Sequence, residues 1–144
     1  MKILLSHIQP EDSGSHTWIQ DINNIDMFVE NSEATEIIVD NFLTAYNYSS
    51  IGSLVAKIAS KLRLNGKIIV YQQDIDFVCH QYNKTGIDIQ DLNTLLFNGG
   101  IPMYSVLNAE VVSDLLTSTG LTIEQKQINT QNMQSIIVAR RDHV

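Results

Sequence analysis

Residues 61–74 read KLRLNGKIIVYQQD, and this stretch decides the fold. It starts like the basic end of a helix, Gly66 can end that helix in the left-handed conformation, and KIIVYQ has the apolar, β-branched composition of a buried strand. The strand ends at the carboxylate of Asp74. Because ligands of parallel α/β sheets bind beyond the carboxyl ends of the strands, this polar strand end predicts a ligand site at that edge.

The segment before this stretch has the pattern of a strand followed by an amphipathic helix. Residues 36–43, EIIVDNFL, predict a strand buried on both faces. Ser49 and Ser50 are candidate N-caps of the helix, and Lys61 and Arg63 are expected in its last turn, where basic side chains suit the helix dipole. Apolar residues recur at helical spacing at Ile51, Leu54, Val55, Ile58, Ala59 and Leu62.

The rest of the chain supplies further short elements. MKILLS, residues 1–6, and HTWIQDI predict two strands separated by the turn-rich segment HIQPEDSGSH. Residues 75–104 are expected to hold one or two short helices and, at NGGIP, a turn. Asn108 and Gly120 can begin and end another helix, and LTIEQKQI and SIIVARR predict two terminal strands.

This order predicts an α/β fold of three layers, with a Rossmann-like, mostly parallel sheet and a C-terminal antiparallel strand. A single domain is expected to span residues 1–144. Since parallel strands bring their carboxyl ends to one edge, the polar strand ends are expected to meet there: Ser6, His7, Asp21, Asp40, Asn41 and the stretch from Gln72 to Asp74.

The composition argues against several classes of partner. Acidic residues outnumber basic ones 16 to 9, for a net charge of -7, and the basic residues are dispersed, which disfavours nucleic acid. No apolar run approaches the roughly 20 residues of a membrane span, so we expect a cytoplasmic protein without membrane contact. The lone Cys79 predicts a reducing compartment and argues against a structural metal site.

Residues 36–74 resemble the central block of class I S-adenosylmethionine-dependent methyltransferases. In that family a strand leads through an aromatic-containing loop to an amphipathic helix, a turn of leucine, basic residue, proline and two glycines, and a strand. Here the turn reads LRLNG. The segments EVVSDLLTSTGLTIEQKQI and SIIVARR are similar to the family's final helix and strands, and Asn98-Gly99-Gly100 resembles a loop of its small bacterial and phage members.

The resemblance implies S-adenosylmethionine as cofactor, and it implies roles for individual residues. Asp21 corresponds to the carboxylate that holds the ribose hydroxyls of the cofactor. Asp26, followed by Met27, corresponds to the acidic residue and apolar neighbour that hold adenine. Asp40 and Asn41 correspond to the strand-end site near the reacting methyl group. For the two acids Asp21 and Asp26, ordinary loop positions in an acidic protein are the alternative.

The loop after the first strand departs from the family pattern. The family places a glycine-rich loop there because backbone must approach the cofactor closely, whereas this chain reads SHIQP. By the resemblance, Ser6 and His7 line the cofactor cleft, and the side chains of His7 and Ile8 would project into its usual volume. His7 is a candidate general base or a strand-end histidine without a catalytic role. Tyr46 and Tyr48 either face the acceptor substrate or pack over the sheet edge.

Two functions therefore stay open. The first is methyl transfer from S-adenosylmethionine to a small-molecule acceptor. The second is a catalytically inactive descendant of the fold, a pseudoenzyme that has lost the cofactor site and serves as a binding or assembly module with a protein partner, for example as a homodimer. Dinucleotide binding has less support, since it needs the same kind of glycine loop.

Overall fold

The computed structural model describes residues 1–97 and 103–143 of the chain. Its strands are β1 (Lys2–Leu5), β2 (Thr17–Ile19), β3 (Ala34–Asp40), β4 (Leu62–Gln73), β5 (Thr122–Asn129) and β6 (Gln134–Arg140). Its α-helices are α1 (Ile25–Phe28), α2 (Tyr48–Ser60), α3 (Ile75–Thr85), α4 (Ile89–Phe97) and α5 (Ala109–Ser118). Two short 3-10 turns are Ile22–Asn24 and Leu43–Ala45. The turn predicted at NGGIP, residues 98–102, lies outside the described residues.

The strands form one sheet in the order β2-β1-β3-β4-β6-β5. Strand β1 pairs in parallel with β2 and β3, β3 pairs in parallel with β4, and β6 runs antiparallel to both of its neighbours. The predicted α/β fold, with a mostly parallel sheet and a C-terminal antiparallel strand, is confirmed. Because the chain leaves β1 toward β2 and later returns on the other side of β1 as β3, strand order reverses between β1 and β3, where sheets of this kind bind ligands.

Alternate side chains of the sheet form the core on one side, which we call the first face. Helices α2 and α5 pack on it. The apolar stripe predicted for α2 is buried there, although its last member, Leu62, begins β4. The sheet contributes buried side chains from β1, β3, β4 and β6: Ile3, Leu5, Ile37, Val39, Ile68, Val70, Ile137 and Ala139.

The intervening side chains point to the opposite side, the second face, and are only partly buried. Its apolar members are Leu4, Trp18, Ile38, Ile69, Tyr71, Ile136 and Val138. Helix α4 contacts this face at the carboxyl end of β4, where Gln73 Nε2 donates to the carbonyl of Leu95 over 3.2 Å. In the described part of the chain, no helix is both long and apolar enough to cross a membrane.

Several predicted boundaries are wrong. Helix α2 begins at Tyr48, after Asn47 in extended backbone, so neither Ser49 nor Ser50 is the N-cap. The strand predicted at residues 36–43 runs two residues earlier at its start and ends at Asp40. The chain turns there because the next residues form the 3-10 turn that buries Leu43 in the core.

The end of α2 also differs from the prediction, because β4 starts directly after the helix. Lys61 is the C-cap of α2 and Arg63 already lies in β4, so neither is in the last turn. The left-handed residue is Asn65, with φ 65°, and Gly66 lies within the strand. A Cβ on Gly66 would sit 2.9 Å from the carbonyl oxygen of Ala34, so glycine is required there by close approach of backbone.

Asp74 joins the starts of two helices. Its Oδ1 accepts the amide of Phe77 at 3.1 Å as the N-cap of α3, and its Oδ2 accepts the amide of Ala109 at 2.8 Å at the start of α5. Asn108 caps α5 as predicted, accepting the amide of Val111 at 2.9 Å. Gly120 follows α5 with φ 89°, as expected for a helix stop. The strand-end carboxylate of Asp74 therefore serves the fold rather than a ligand.

We expect Asp74→Ala to lower the free energy of unfolding by about 2–4 kcal/mol, because it removes a cap and leaves a second helix amide without its charged acceptor. Chemical denaturation followed by circular dichroism measures this change. Asp76→Ala is the matched control, since the Asp76 carboxylate is exposed and accepts only from the Asn108 side chain in this network. An equal loss in both variants would contradict the capping role.

Candidate functional site

The carboxyl ends of β1, β2 and β3 bring several predicted residues to one edge. Leu5 pairs with Val39 of β3 and with Ile19 of β2, so the positions after these residues lie side by side. Ser6 and Asp40 are thus neighbours in the order of the sheet. Because strand order reverses between β1 and β3, this edge is the candidate ligand site.

An aromatic cluster of His7, Phe42 and Tyr46 lies at this edge. The rings of His7 and Phe42 stack with centroids 4.3 Å apart and planes within 7°. The Tyr46 ring is tilted against both, at 5.9 Å from His7 and 5.5 Å from Phe42. Nε2 of His7 donates to the Phe42 carbonyl over 3.2 Å, so the other ring nitrogen, Nδ1, makes no bond to this carbonyl. Phe42 is fully buried, so the cluster is anchored in the core.

The loop after β1 is tied down by side chains of β2 and the residue beyond it. Trp18 Nε1 donates to the Ser6 carbonyl at 2.9 Å, and Gln20 Nε2 donates to the His7 carbonyl at 3.1 Å. The buried Ser6 hydroxyl donates to the Ile8 carbonyl at 2.8 Å, while the Ile8 side chain is 52% exposed. This loop therefore presents the His7 ring, rather than bare backbone or the Ile8 side chain, to the aromatic cluster.

Asp21 and Tyr46 are close enough to influence one another. Asp21 is exposed and caps the 3-10 turn after β2, accepting the amide of Asn23 at 3.0 Å through Oδ1. Burial, and then the negative charge of Asp21, raise the pKa of Tyr46, partly offset by a hydrogen bond from the Ile22 backbone. Tyr46 hence stays protonated at neutral pH and can donate a hydrogen bond, while Asp21 keeps lone pairs free to accept hydroxyls.

Asp40 and Asn41 end the same strand but differ in what they contact. Among the described residues, the Asp40 carboxylate has no hydrogen-bond or ion-pair partner, and burial against the protein raises its pKa. The side-chain oxygen of Asn41 accepts a hydrogen bond from the backbone amide of Gln73 at 2.9 Å, and the backbone amide of Asn41 donates to the Tyr71 carbonyl at 2.8 Å. Asn41, with φ 46°, thus extends the pairing of β3 and β4. Asp40 is the side chain of this pair with free acceptor capacity.

Asp26 and Met27 are separated from this edge. Asp26 pairs with Lys61, and with Lys57 at 3.2 Å. Hydrogen bonds from Lys61 first and Lys57 second lower the pKa of Asp26. The Lys61 carbonyl accepts the amide of Ala34 at 2.8 Å, so this ion-pair group lies at the amino ends of β3 and β4. Met27 is 80% exposed beside it.

Sequence reasoning placed Gln72 at this edge but missed its polar neighbours Thr44 and Ser105. Gln72 Nε2 lies 3.5 Å from the Thr44 hydroxyl, and the amide of Ser105 donates to the Thr44 carbonyl over 3.3 Å. Within the described residues, Gln72 Oε1 and Ser105 Oγ have no hydrogen-bond partner. Phe42 was missed too, because an apolar residue after a strand carries no sign of contact with a histidine 35 positions earlier. Tyr48, the first residue of α2, is 62% exposed.

The arrangement can accept hydroxyls at Asp21 and Asp40, donate from Tyr46 and stack a flat group on aromatic rings. Within residues 1–97 and 103–143, no group of three or more histidine, cysteine and acidic side chains is arranged to hold a metal. Neither a comparison with protein-family models nor a search of curated proteins finds a match for the sequence.

Solved structures are similar to most of this chain. The Burkholderia thailandensis 1,6-didemethyltoxoflavin-N1-methyltransferase, with bound S-adenosylhomocysteine, has a TM-score of 0.61 over 96% of this chain and 60% of its own, at 11% identity. Magnesium protoporphyrin IX methyltransferase from Synechocystis, also with bound S-adenosylhomocysteine, has a TM-score of 0.58 over 88% of this chain and 51% of its own, at 16% identity. The chain has a class I methyltransferase-like fold.

This methyltransferase-like fold is confirmed by structure at low sequence identity. A third similar structure is a complex between the Haloferax volcanii Trm112 methyltransferase activator and a methyltransferase. It has a TM-score of 0.60 over 92% of this chain and 64% of the matched chain, at 8% identity. Across eight similar structures the chain spans between 30% and 64% of the other protein's length. The likeness therefore covers most of this chain and less than the whole of each similar protein.

We expect Asp40→Asn to raise the melting temperature at pH 7. The raised pKa means that the folded state binds the proton more tightly than the unfolded state, so stability is highest below the unfolded pKa and falls as pH rises through the folded pKa. Removing the charge removes that loss, by a few degrees at most, because Asp40 is still exposed enough for solvent to screen its charge.

Thermal denaturation from pH 3 to pH 8 tests this expectation. The advantage of Asp40→Asn should shrink toward pH 3, where the wild-type carboxyl is protonated. Asp114→Asn, on the exposed side of α5, removes the same charge elsewhere and controls for net charge. A lower melting temperature of Asp40→Asn at pH 7 would show that the carboxylate stabilises the fold.

Proposed function

We propose that this chain binds S-adenosylmethionine at the carboxyl edge of β1 and β3 and transfers its methyl group to a small-molecule acceptor. The observation that supports this most is the grouping of Asp21, Asp40 and the aromatic cluster where strand order reverses. The fold is shared with methyltransferases whose structures hold S-adenosylhomocysteine, and it places the reversal point at this edge.

In this proposal each side chain has a task that its chemistry allows. Asp21 accepts the two ribose hydroxyls, for which a carboxylate offers two oxygens at suitable separation. Asp40 and His7 face the reacting end, and Nδ1 of His7 is the acceptor that could take a proton from the nucleophile of the substrate. Tyr46 donates a hydrogen bond, and Tyr48 lies on the side from which the acceptor enters. Asp26 and Met27 are not part of the proposed site, because their ion-pair group lies at the other end of the strands.

The protein's contribution would be mainly positional. S-adenosylmethionine supplies an activated methyl group on a sulfonium. Holding donor and acceptor in line converts a bimolecular step into an effectively intramolecular one, and this needs few protein groups beyond those that fix the geometry. A single base then suffices where the acceptor atom carries a proton.

Isothermal titration with S-adenosylmethionine and S-adenosylhomocysteine tests the proposal. We expect micromolar binding that Asp21→Ala weakens by about tenfold or more, since hydrogen bonds to a charged group are worth about 1.5–3 kcal/mol each. Asp26→Ala is the matched control. Asp26 is close to Asp21 in the sequence, but its carboxylate lies at the opposite end of the sheet. No binding at millimolar ligand, or equal losses in the two variants, would overturn the proposal.

A second function, a catalytically inactive binding module with a protein partner, is favoured by the contacts of the loop after β1. The His7 ring is stacked on Phe42, and the carbonyls of Ser6 and His7 are already bonded by Trp18 and Gln20. A loop held in this way leaves little room for the close backbone approach that glycine allows.

The His7→Gly variant separates the two functions. If the stacked ring excludes the cofactor, the wild-type protein should not bind S-adenosylhomocysteine and His7→Gly should gain binding in the same titration. If His7 belongs to a working site, His7→Gly should lower methyl transfer and should not improve affinity. Phe42 stays in both proteins, so the core beneath the ring is kept.

A further inference from the structure

The second face of the sheet carries an apolar row that crosses five strands. Strand pairing sets Trp18 beside Leu4, Leu4 beside Ile38, Ile38 beside Ile69, and Ile69 beside Val138. At the usual strand spacing of about 4.8 Å, the row spans roughly 19 Å between the outer strands. All five side chains are partly exposed. Contiguous apolar rows of this kind on a protein surface mark interaction sites.

The described helices leave this row uncovered. Helices α2 and α5 pack on the first face, and the contact of α4 with Gln73 lies at the carboxyl end of the second face. The connection from β1 to β2, residues 6–16, contains no helix. Parallel sheets normally have both faces covered, so an apolar row without a helical layer predicts a partner.

A charged row lies beside the apolar one, two residues nearer the amino ends of the parallel strands. Strand pairing sets Lys2 beside Glu36, Glu36 beside Lys67, and Lys67 beside Arg140. Glu36 and Lys67 are therefore the central members of this row, on β3 and β4. Each already has a partner in its own chain, since Glu36 lies 2.5 Å from His16 and Lys67 lies 3.3 Å from Glu124. Arg140 is already paired with two carboxylates, to Glu124 at 3.1 Å and to Asp142 at 2.7 Å.

We propose that the occupant of the second face is a second copy of this chain, packed face to face about a two-fold axis parallel to the strands. The sheet has six strands, so the axis falls between β3 and β4 and sets β3 against β4 of the other copy. Ile38 then meets Ile69, and Leu4 meets Val138, each contact occurring twice. Sheets pack in this way at about 10 Å.

The charged row is compatible with a second copy in this arrangement, because its charges are already balanced within each chain. Reversal of strand order places Glu36 opposite Lys67 in both halves of the interface, which is the self-complementarity a two-fold needs. Lys2 meets Arg140, whose charge is held by two carboxylates. The basic residues Lys2, Lys67 and Arg140 balance the acidic residues Glu36, Glu124 and Asp142, although the chain as a whole carries -7. Two acidic chains can thus approach through this face without net repulsion.

Sedimentation of the chain from roughly 1 to 200 µM tests the proposal, because small interfaces dissociate in this range. We expect a monomer–dimer equilibrium that Ile69→Lys shifts fully to monomer. Ile128→Lys is the matched control, since Ile128 is 41% exposed and pairs with Ser135, whose side chain lies on the first face. It should leave the equilibrium unchanged. Trp18, the one tryptophan of the chain, should show a concentration-dependent emission shift that Ile69→Lys abolishes.

Charge exchange tests the arrangement independently of apolar substitutions. Lys67→Glu should weaken the dimer by about tenfold or more, because it sets a glutamate opposite Glu36 of the other copy. The Lys67 side chain is half exposed, so this test stands even where Ile69→Lys fails to fold. A chain that stays monomeric at every concentration overturns the proposal and leaves the face to a helix of another polypeptide. A dimer that survives Ile69→Lys overturns it as well.

Discussion

The structure depends on one geometric constraint, which is that successive side chains of a strand point to opposite faces while parallel strands end at the same edge. Helices α2 and α5 bury alternate side chains of β3 and β4, namely Ile37, Val39, Ile68 and Val70. This burial fixes the direction of the side chains between them. It sends Ile38 and Ile69 to the second face and brings the strand ends of β1 and β3 together. The candidate ligand site and the proposed docking face are therefore two consequences of the same packed core.

The short connection between β1 and β2 has effects in two places. At the carboxyl edge, the loop is held by Trp18 and Gln20 and presents His7 to Phe42. On the second face, its lack of a helix leaves Leu4 and Ile38 partly exposed. A loop that departs from the family pattern at the cofactor position thus also removes part of a covering layer. This link explains why questions of cofactor binding and of assembly arise together in this chain.

The candidate site was predictable in part. Ser6, His7, Asp21, Asp40 and Asn41 do lie at the carboxyl ends of their strands, because strand periodicity and parallel order suffice to place them. What each side chain binds was not predictable. Asn41 and Asp74 follow strands in the same way as Asp40. However, Asn41 accepts a hydrogen bond from Gln73, and Asp74 accepts hydrogen bonds at the starts of two helices. These bonds depend on contacts between segments that are distant in the sequence. The position of Asp26 also depends on distant contacts, since its lysine partners lie 31 and 35 residues further on, on and just after α2.

The sequence by itself determined the order of strands and helices, the buried stripe of α2, the caps of α5 and the mostly parallel sheet, because these follow from local periodicity and turn chemistry. Only the tertiary structure decided three further features. Gly66 is required because the backbone of Ala34 lies close to it, His7 stacks on Phe42, and one side of the sheet stays partly open. Each of these depends on pairs of residues far apart in the chain, whose contact is set by how the whole core packs and leaves no trace in the local pattern.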